Sequence, residues 1–447
     1  MKRLNQCSKH DFIRLFFALC TLALFVAAVL CPDRGKMFYE LKELLTHTCK
    51  VPKNTFDCST FAGAFLNTAL VCLACTLLYC LPGAKAGAPS VLGFLLTLGF
   101  GFWGVTILNM WFGVLGVLLY CLIKKEAPGK HANSMLFSTA LSPLYADLLF
   151  RYPDLSEHVF SWAGLGYAVA VGVVVGFLIP ATLAHSPKTH KGYSLYSAAL
   201  TVGIISFFLR GILYTVPGVE IPAGNAAETM KAASTEICNI FCIAFFAICV
   251  IVSLLMGTKP KDYWNLMKHS GHGVDYIDAF GNGTFLMNVG VYGLFIMAYY
   301  NLIGTNFNAV ALGCVFCMLA GCCSGSHPRN VWPCMLGYAI ASYGMKLLIG
   351  PEYAFILNNQ TIVIGLCFCS ALSPIAGSYG WFWGVIASIL HYFLVRCVPD
   401  LHGGFLLYNG GFTACLVCVM FIPVLEHFCK TKAEKKALKE GKAESAK

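Results

Sequence analysis

Apolar runs of about 20 residues return repeatedly along this chain, and each is long enough to cross the roughly 30 Å hydrocarbon layer of a bilayer as a helix. A backbone inside lipid must satisfy its own hydrogen bonds, which restricts spanning segments to helices and closed barrels. The composition agrees. Of 447 residues, 58% are hydrophobic and 12% are charged, whereas a soluble domain carries about a quarter charged residues. So little charge cannot coat a water-facing surface of this size. An ordinary cytosolic enzyme, a nucleic-acid-binding protein and a disordered chain are thereby excluded.

The expected fold is an all-α polytopic integral membrane protein with about 14 membrane segments. A first set falls near 12–31, 61–81, 91–106, 110–123, 135–150, 160–183 and 197–212. A second falls near 237–256, 283–302, 309–323, 331–348, 361–376, 381–395 and 411–428. Several are too short for a full crossing and are expected to be broken or re-entrant, which is tolerated where protein or a water-filled cavity shields the backbone. Lys2, Arg3 and Lys9 before the first run resemble the start of a signal peptide, but Cys31-Pro32-Asp33 is a poor cleavage site. An uncleaved first span is expected.

The two sets match each other. Asn109-Met-Trp-Phe-Gly-Val-Leu-Gly116 returns as Asn330-Val-Trp-Pro-Cys-Met-Leu-Gly337, and Ala140-Leu-Ser-Pro143 as Ala371-Leu-Ser-Pro374. His190 to Ser197 returns as His402 to Asn409, Gly63-Ala-Phe-Leu66 as Gly283-Thr-Phe-Leu286, and Leu44 to Thr48 more weakly as Leu266 to Ser270. Five matches in one order point to an internal duplication: a first unit over 1–215, a second over 216–428 and a basic tail over 429–447. Lysine-bearing short loops belong in the cytoplasm. That rule places inside the N-terminus, Lys85, Lys124, Lys188, Lys259, Arg329 and the lysine-rich tail. The loops at Asp154–Glu157, Glu220–Glu228 and Pro351–Gln360 fall outside, as does the one with Asp33, Arg34 and Lys36, against its basic residues. Seven segments per unit would invert the second unit relative to the first. The expected setting is the plasma membrane, with both termini cytoplasmic.

Inverted repeats characterise secondary transporters, whose solute sites lie where matched helices break near the midplane. The matched breaks are Ser142-Pro143 and Ser373-Pro374: proline lacks the backbone donor and frees a carbonyl. An ordinary kink is the competing explanation. The densest polar motif is His402-Gly403-Gly404 with Tyr408 and Asn409, set against a tight loop anchored by an interfacial tyrosine. Asn330 opens a matched span beside Trp332, where interfacial anchoring is the plainer account. Asp147 and His391 are the ionisable residues deepest in apolar runs, and intramembrane charge is costly enough to suggest function. Asp147 also sits near the end of its run, within reach of the interface. Cys314/Cys317 and Cys415/Cys418 have zinc-like spacing but lie inside apolar helices, where small residues serve packing. No metal, cofactor or catalytic group is expected. Walker A, His-Glu-x-x-His and Gly-x-Ser-x-Gly patterns are missing from the sequence.

Asn282-Gly-Thr-Phe-Leu286, Gly325-Ser-His-Pro-Arg-Asn330, Leu372 to Trp381 and Leu401-His-Gly-Gly404 with Tyr408 to Phe412 resemble a bacterial membrane-protein family filed as domain of unknown function 1576. The resemblance is strong over about 280–428 and continues in order through the first half. It implies the architecture and no activity. A seven-plus-seven inverted arrangement is also similar to the fold of nucleobase and anion transporters, a likeness of topology alone. The expected role is a secondary transporter or channel for a small polar or anionic solute, with the lipid bilayer and a possible coupling ion as partners. The alternatives are a membrane-embedded enzyme using His402, Asn409 and Asp147, or a membrane scaffold.

Overall fold

The computed structural model describes residues 2–47, 51–153, 159–221, 232–350 and 357–444. The loops at Asp154–Glu157, most of Glu220–Glu228 and most of Pro351–Gln360, assigned above to one side of the membrane, lie outside the described residues. The chain is an all-α polytopic membrane protein. Among the described residues, seven helices are long and apolar enough to cross a bilayer, and shorter apolar helices lie between them.

In the first half these are α1 (Lys9–Leu30), α2 (Met37–Thr46), α3 (Thr55–Cys58), α4 (Phe61–Leu78), α5 (Ala88–Gly101), α6 (Trp111–Lys124), α7 (Ala132–Ser138), α8 (Ser142–Phe150), α9 (Trp162–Thr182), α10 (Ser186–Thr189) and α11 (Ala198–Tyr214). The second half holds α12 (Ala232–Leu255), α13 (Pro260–Leu266), α14 (Tyr276–Leu302), α15 (Ala309–Leu319), α16 (Pro328–Leu348), α17 (Gln360–Cys369), α18 (Ser373–Tyr379), α19 (Trp381–Leu394), α20 (Val398–Leu401) and α21 (Asn409–Phe428), followed by the polar tail helix α22 (Lys432–Glu444).

Local chemistry starts these helices where apolar runs begin. Ser8, Thr60, Ser161, Asn308 and Asn359 each accept a backbone N–H at a helix N-terminus, satisfying a donor that has no partner within the helix. Neighbours in one half recur as neighbours in the other: α1 lies on α4 as α12 lies on α14, and α6 on α9 as α16 on α19. Across the halves, α5 packs on α15 and α11 on α21.

Helix α1 is about 33 Å long at 1.5 Å per residue and works as a ruler. Just past its C-terminus, the Asp33 carboxylate accepts the N–H groups of Phe61 (2.7 Å) and Ala62 (3.0 Å), which open α4. Just before its N-terminus, Asn5 Oδ1 accepts Gly283 N–H at 3.0 Å, and Asn282 donates to the carbonyls of Leu4 and Cys7. There α14 resumes after a break at Gly281, whose φ of 84° is open to glycine. The matched helices α4 and α14 therefore begin at opposite ends of α1.

Candidate functional site

Three features converge between the halves: a pair of bent helices, the clamps that hold them, and the space at each side of the molecule. Each bend is a 3₁₀ turn. Thr139–Leu141 leads into Ser142-Pro143, and Ser370–Leu372 into Ser373-Pro374. The segments bend at the Ser-Pro pairs and then continue as helices, which is milder than the full breaks expected there. Each proline lies in the first turn of the following helix, where its missing N–H costs nothing. Ser373 Oγ lies 3.2 Å from Ser326 Oγ, while Ser142 Oγ is buried without a hydrogen-bond partner.

The clamps come from the His motifs. Leu195 N–H donates to Ala371 O at 3.1 Å, and Leu407 N–H donates to Ala140 O at 3.1 Å. Leu195 and Leu407 occupy the same place in the two motifs, and Ala140 and Ala371 the same place in the two bends. Each half thus holds the other half's bend. His190 Nε2 donates to Ser197 Oγ (2.8 Å), while His402 Nδ1 donates to Asn409 Oδ1 (2.6 Å). Ser197 Oγ and Asn409 Nδ2 then donate to the carbonyls of Ser194 and Leu406. These internal bonds fix the loops before α11 and α21.

Between the bends lies an aromatic cluster. Phe100, Phe137 and Phe368 have ring centroids 5.2, 6.4 and 6.2 Å from that of Tyr408. Tyr196, the counterpart of Tyr408, donates to Cys317 O at 2.6 Å; the Tyr408 hydroxyl is buried without a partner. Tyr408 is therefore a core residue and not an interfacial anchor.

The other residues singled out by sequence are scattered. Asp147 is buried and accepts from Arg151 and from the Tyr214 hydroxyl, so it is an ion-paired group inside the protein. His391 donates from Nε2 to Gly410 O at 2.9 Å and accepts the Tyr338 hydroxyl at Nδ1 at 2.7 Å. It joins α16, α19 and α21. Asn330 is occupied by backbone: Oδ1 accepts His327 N–H, and Nδ2 donates to Gly325 O and Ser270 O. Asn109 makes the matching bonds to Thr106 N–H and Gly104 O. Among the described residues no His, Cys, Asp and Glu cluster could hold a metal, and no described cysteine is in a disulfide.

Sequence reading passed over Asn67, Asn288 and Lys53. Asn67 Nδ2 donates to the carbonyls of Gly101 and Val105, and Asn288 Nδ2 to those of Cys322 and Ser326. All three pairs are separated by the same offset. This places Asn67 opposite Asn288, one residue away from the register suggested by Gly63 and Gly283. An amide in each of two matched apolar helices was the available signal.

The two sides of the molecule differ. At the C-terminal end of α1 an open vestibule of about 990 Å³ lies between α2, α3 and the start of α4. Below it, sharing His47, a cavity of about 20 Å³ is lined by Lys53, Thr106, Asn109, Pro143 and Ala146. At the N-terminal end of α1, the corresponding loop is driven against the second bend. Ser270 O reaches Gly377 so closely that a Cβ there would lie 1.8 Å away, and Gly271 and Gly325 meet backbone to backbone. His327 Nε2 donates to His269 O (3.0 Å), His272 Nε2 donates to Lys191 O (2.8 Å), and the His272 ring stacks on Tyr193 at 4.1 Å. Lys9 pairs with Asp275 (3.3 Å) and Asp278 (2.5 Å) beside this seal.

Comparison with curated proteins and with solved structures gives no match. A family profile described as "Protein of unknown function (DUF1576)" matches residues 33–215 and 256–427. The two matched stretches contain both bends, both His motifs and the aromatic cluster, and the chain belongs to this family of unknown function.

Proposed function

We propose that this protein is a secondary transporter for a small polar or anionic solute, built on an inverted repeat and working by alternating access, with no enzymatic role. The observation that carries the reading is the exchanged pair of bonds, Leu195 to Ala371 and Leu407 to Ala140. A contact made twice with the halves swapped is what a two-fold relation produces, and the opposite starting ends of α4 and α14 favour an axis in the membrane plane. Such an arrangement gives two exchangeable conformations. The vestibule on one side and the seal on the other fit one of them. The lysine-bearing loops would put the sealed side and both termini in the cytoplasm of a plasma-membrane protein.

Uptake into proteoliposomes across a panel of amino acids, organic acids, inorganic anions and nucleobases, with and without proton and sodium gradients, tests the role. Saturable accumulation of one class that collapses with the gradient is expected. Absence of uptake for every class, with folded protein correctly inserted, would overturn it.

A further inference from the structure

Lys53 is the group that distinguishes the vestibule side. It is 7% exposed, and its ammonium donates to His47 O at 2.7 Å and Leu44 O at 3.4 Å. Its backbone N–H donates to Trp103 O. A buried ammonium is expensive to maintain unless it is paired, and here the backbone carbonyls of Leu44 and His47 hold it. The matched loop of the second half is in register through two bonds, Thr55 Oγ1 to Phe102 O and Tyr276 N–H to Cys323 O. In that register the counterpart of Lys53 is Val274. The space that is a cavity beside Lys53 and Pro143 is filled on the other side by the Ser270 carbonyl at Gly377. Charge and space therefore occur together on one side and are both lost on the other.

The cavity has room for about one water, or for one end of a solute whose remainder stays above. What stays above meets Asp33, Glu40, Glu43 and Asp57, with Lys36 and His47 as the basic residues among the described vestibule lining. Asp33 is committed to the N-terminus of α4; the other three still leave the vestibule acidic. A simple anion is repelled by that rim, and a simple cation meets Lys53 at the floor. A molecule with both charges satisfies both.

We propose that the cavity receives the carboxylate of a small zwitterionic solute, with Lys53 as its charge partner and the acidic vestibule holding its cationic end. This names the solute class of the transport reading and rests on it for passage only, since binding is measured apart from uptake.

The test uses the purified full-length protein and thermal unfolding as the readout. Glycine, alanine, serine and betaine are titrated beside acetate, methylammonium and sulfate. Saturable stabilisation by at least one zwitterion is expected, with acetate at least about tenfold weaker and methylammonium inert. Lys53→Gln should weaken that binding by about tenfold or more, while Lys53→Arg keeps it within about threefold. If Lys53→Gln does not fold, the Glu40→Gln/Glu43→Gln double variant carries the test: it should lower the preference for zwitterion over acetate. No stabilisation by any of the four zwitterions, tighter binding of acetate or sulfate, or unchanged binding in Lys53→Gln and in the double variant would each overturn the proposal. Binding without uptake would support it while removing the transport role.

Discussion

The two bends of this molecule are built alike and roofed differently. The same Ser-Pro pair follows the same 3₁₀ turn, and the same leucine N–H from the opposite half holds each. Beside the first bend a small cavity lies between Lys53, Pro143 and Ala146. Above the second, the loop from His269 to His272 lies in contact with the bend. At the matched place the first bend carries Ala146 and the second Gly377. The absence of a methyl at Gly377 lets the Ser270 carbonyl in. The bends are the common framework, and the side chains facing the loops set which side is closed.

The sharpest way to break this comparison is to exchange those residues. Gly377→Ala puts a methyl 1.8 Å from a backbone oxygen, beyond what a small shift absorbs. Overpacking of this kind costs about 1–3 kcal/mol or more, and here the loop can yield by lifting. A cysteine placed at Ser270 should then label with a membrane-impermeant thiol reagent at least about tenfold faster. Ala146→Gly should leave labelling unchanged. Equal labelling of the Gly377→Ala variant and its parent would show that the glycine does not control the seal.

Next in size are the matched amides. Asn67→Ala and Asn288→Ala each leave two buried carbonyls without a donor, at about 1–3 kcal/mol per unsatisfied group. Both should unfold at clearly lower temperature, and by similar amounts. A large loss in one variant and none in the other would mean that the matched bonds have unequal roles.

The His clamps should show a smaller effect. Ser197→Ala and Asn409→Ala each remove the partner of a buried imidazole, worth about 1 kcal/mol. Asn409→Ala should have the larger effect, because its amide also donates to Leu406 O with a 2.7 Å bond against 3.2 Å for Ser197. Thermal unfolding of the two variants in the same detergent measures the difference.

The smallest expected effect is acid loosening of the seal. Burial holds the His269 imidazole below its ordinary value of 6.5, with His272 adding to the shift. Its other neighbours are Tyr276, Phe280 and His327. The neutral ring is the form the seal favours. Its contribution is complete above about pH 6.5 and falls as acid protonates the lifted loop first. Labelling at position 272 is uninformative because it removes a member of the seal; a cysteine at Ser270 should lose less of its labelling rate between pH 7.5 and pH 5.5 than a free thiol does, whose rate falls with its thiolate fraction. A rate that tracks only the thiolate fraction of the reporter would remove this role from His269.

Much of this architecture was legible in the sequence. The apolar runs located the helices because a lipid-facing backbone has few alternatives. The Ser-Pro and His motifs were visible as matched pairs, and both proved to be parts of one arrangement. Their partnership was not visible, since a bond between Leu407 N–H and Ala140 O involves two backbones and no distinctive side chain. Asp147 read as a costly charge in an apolar run or one near its end; Arg151, four residues on, was a partner within reach of sequence, whereas Tyr214 lies far away. Lys53 was hidden for the opposite reason. It stands among loop residues, where a lysine normally signals solvent, and only its folded surroundings show that it is buried.

The exchanged leucine bonds also impose a schedule on synthesis. Ala371 finds its donor, Leu195, already made when it emerges. Ala140 must wait for Leu407, the greater part of the chain later. At about 5–20 residues per second, that leaves the first bend with an open carbonyl for roughly a quarter of a minute to a minute. During that interval the nascent first half has no finished bend and lacks α21, on which α11 also packs. The insertion machinery must shelter a polar gap within a newly made membrane domain until almost the last helix arrives. Mutations near the end of the chain should therefore damage the folding of its beginning.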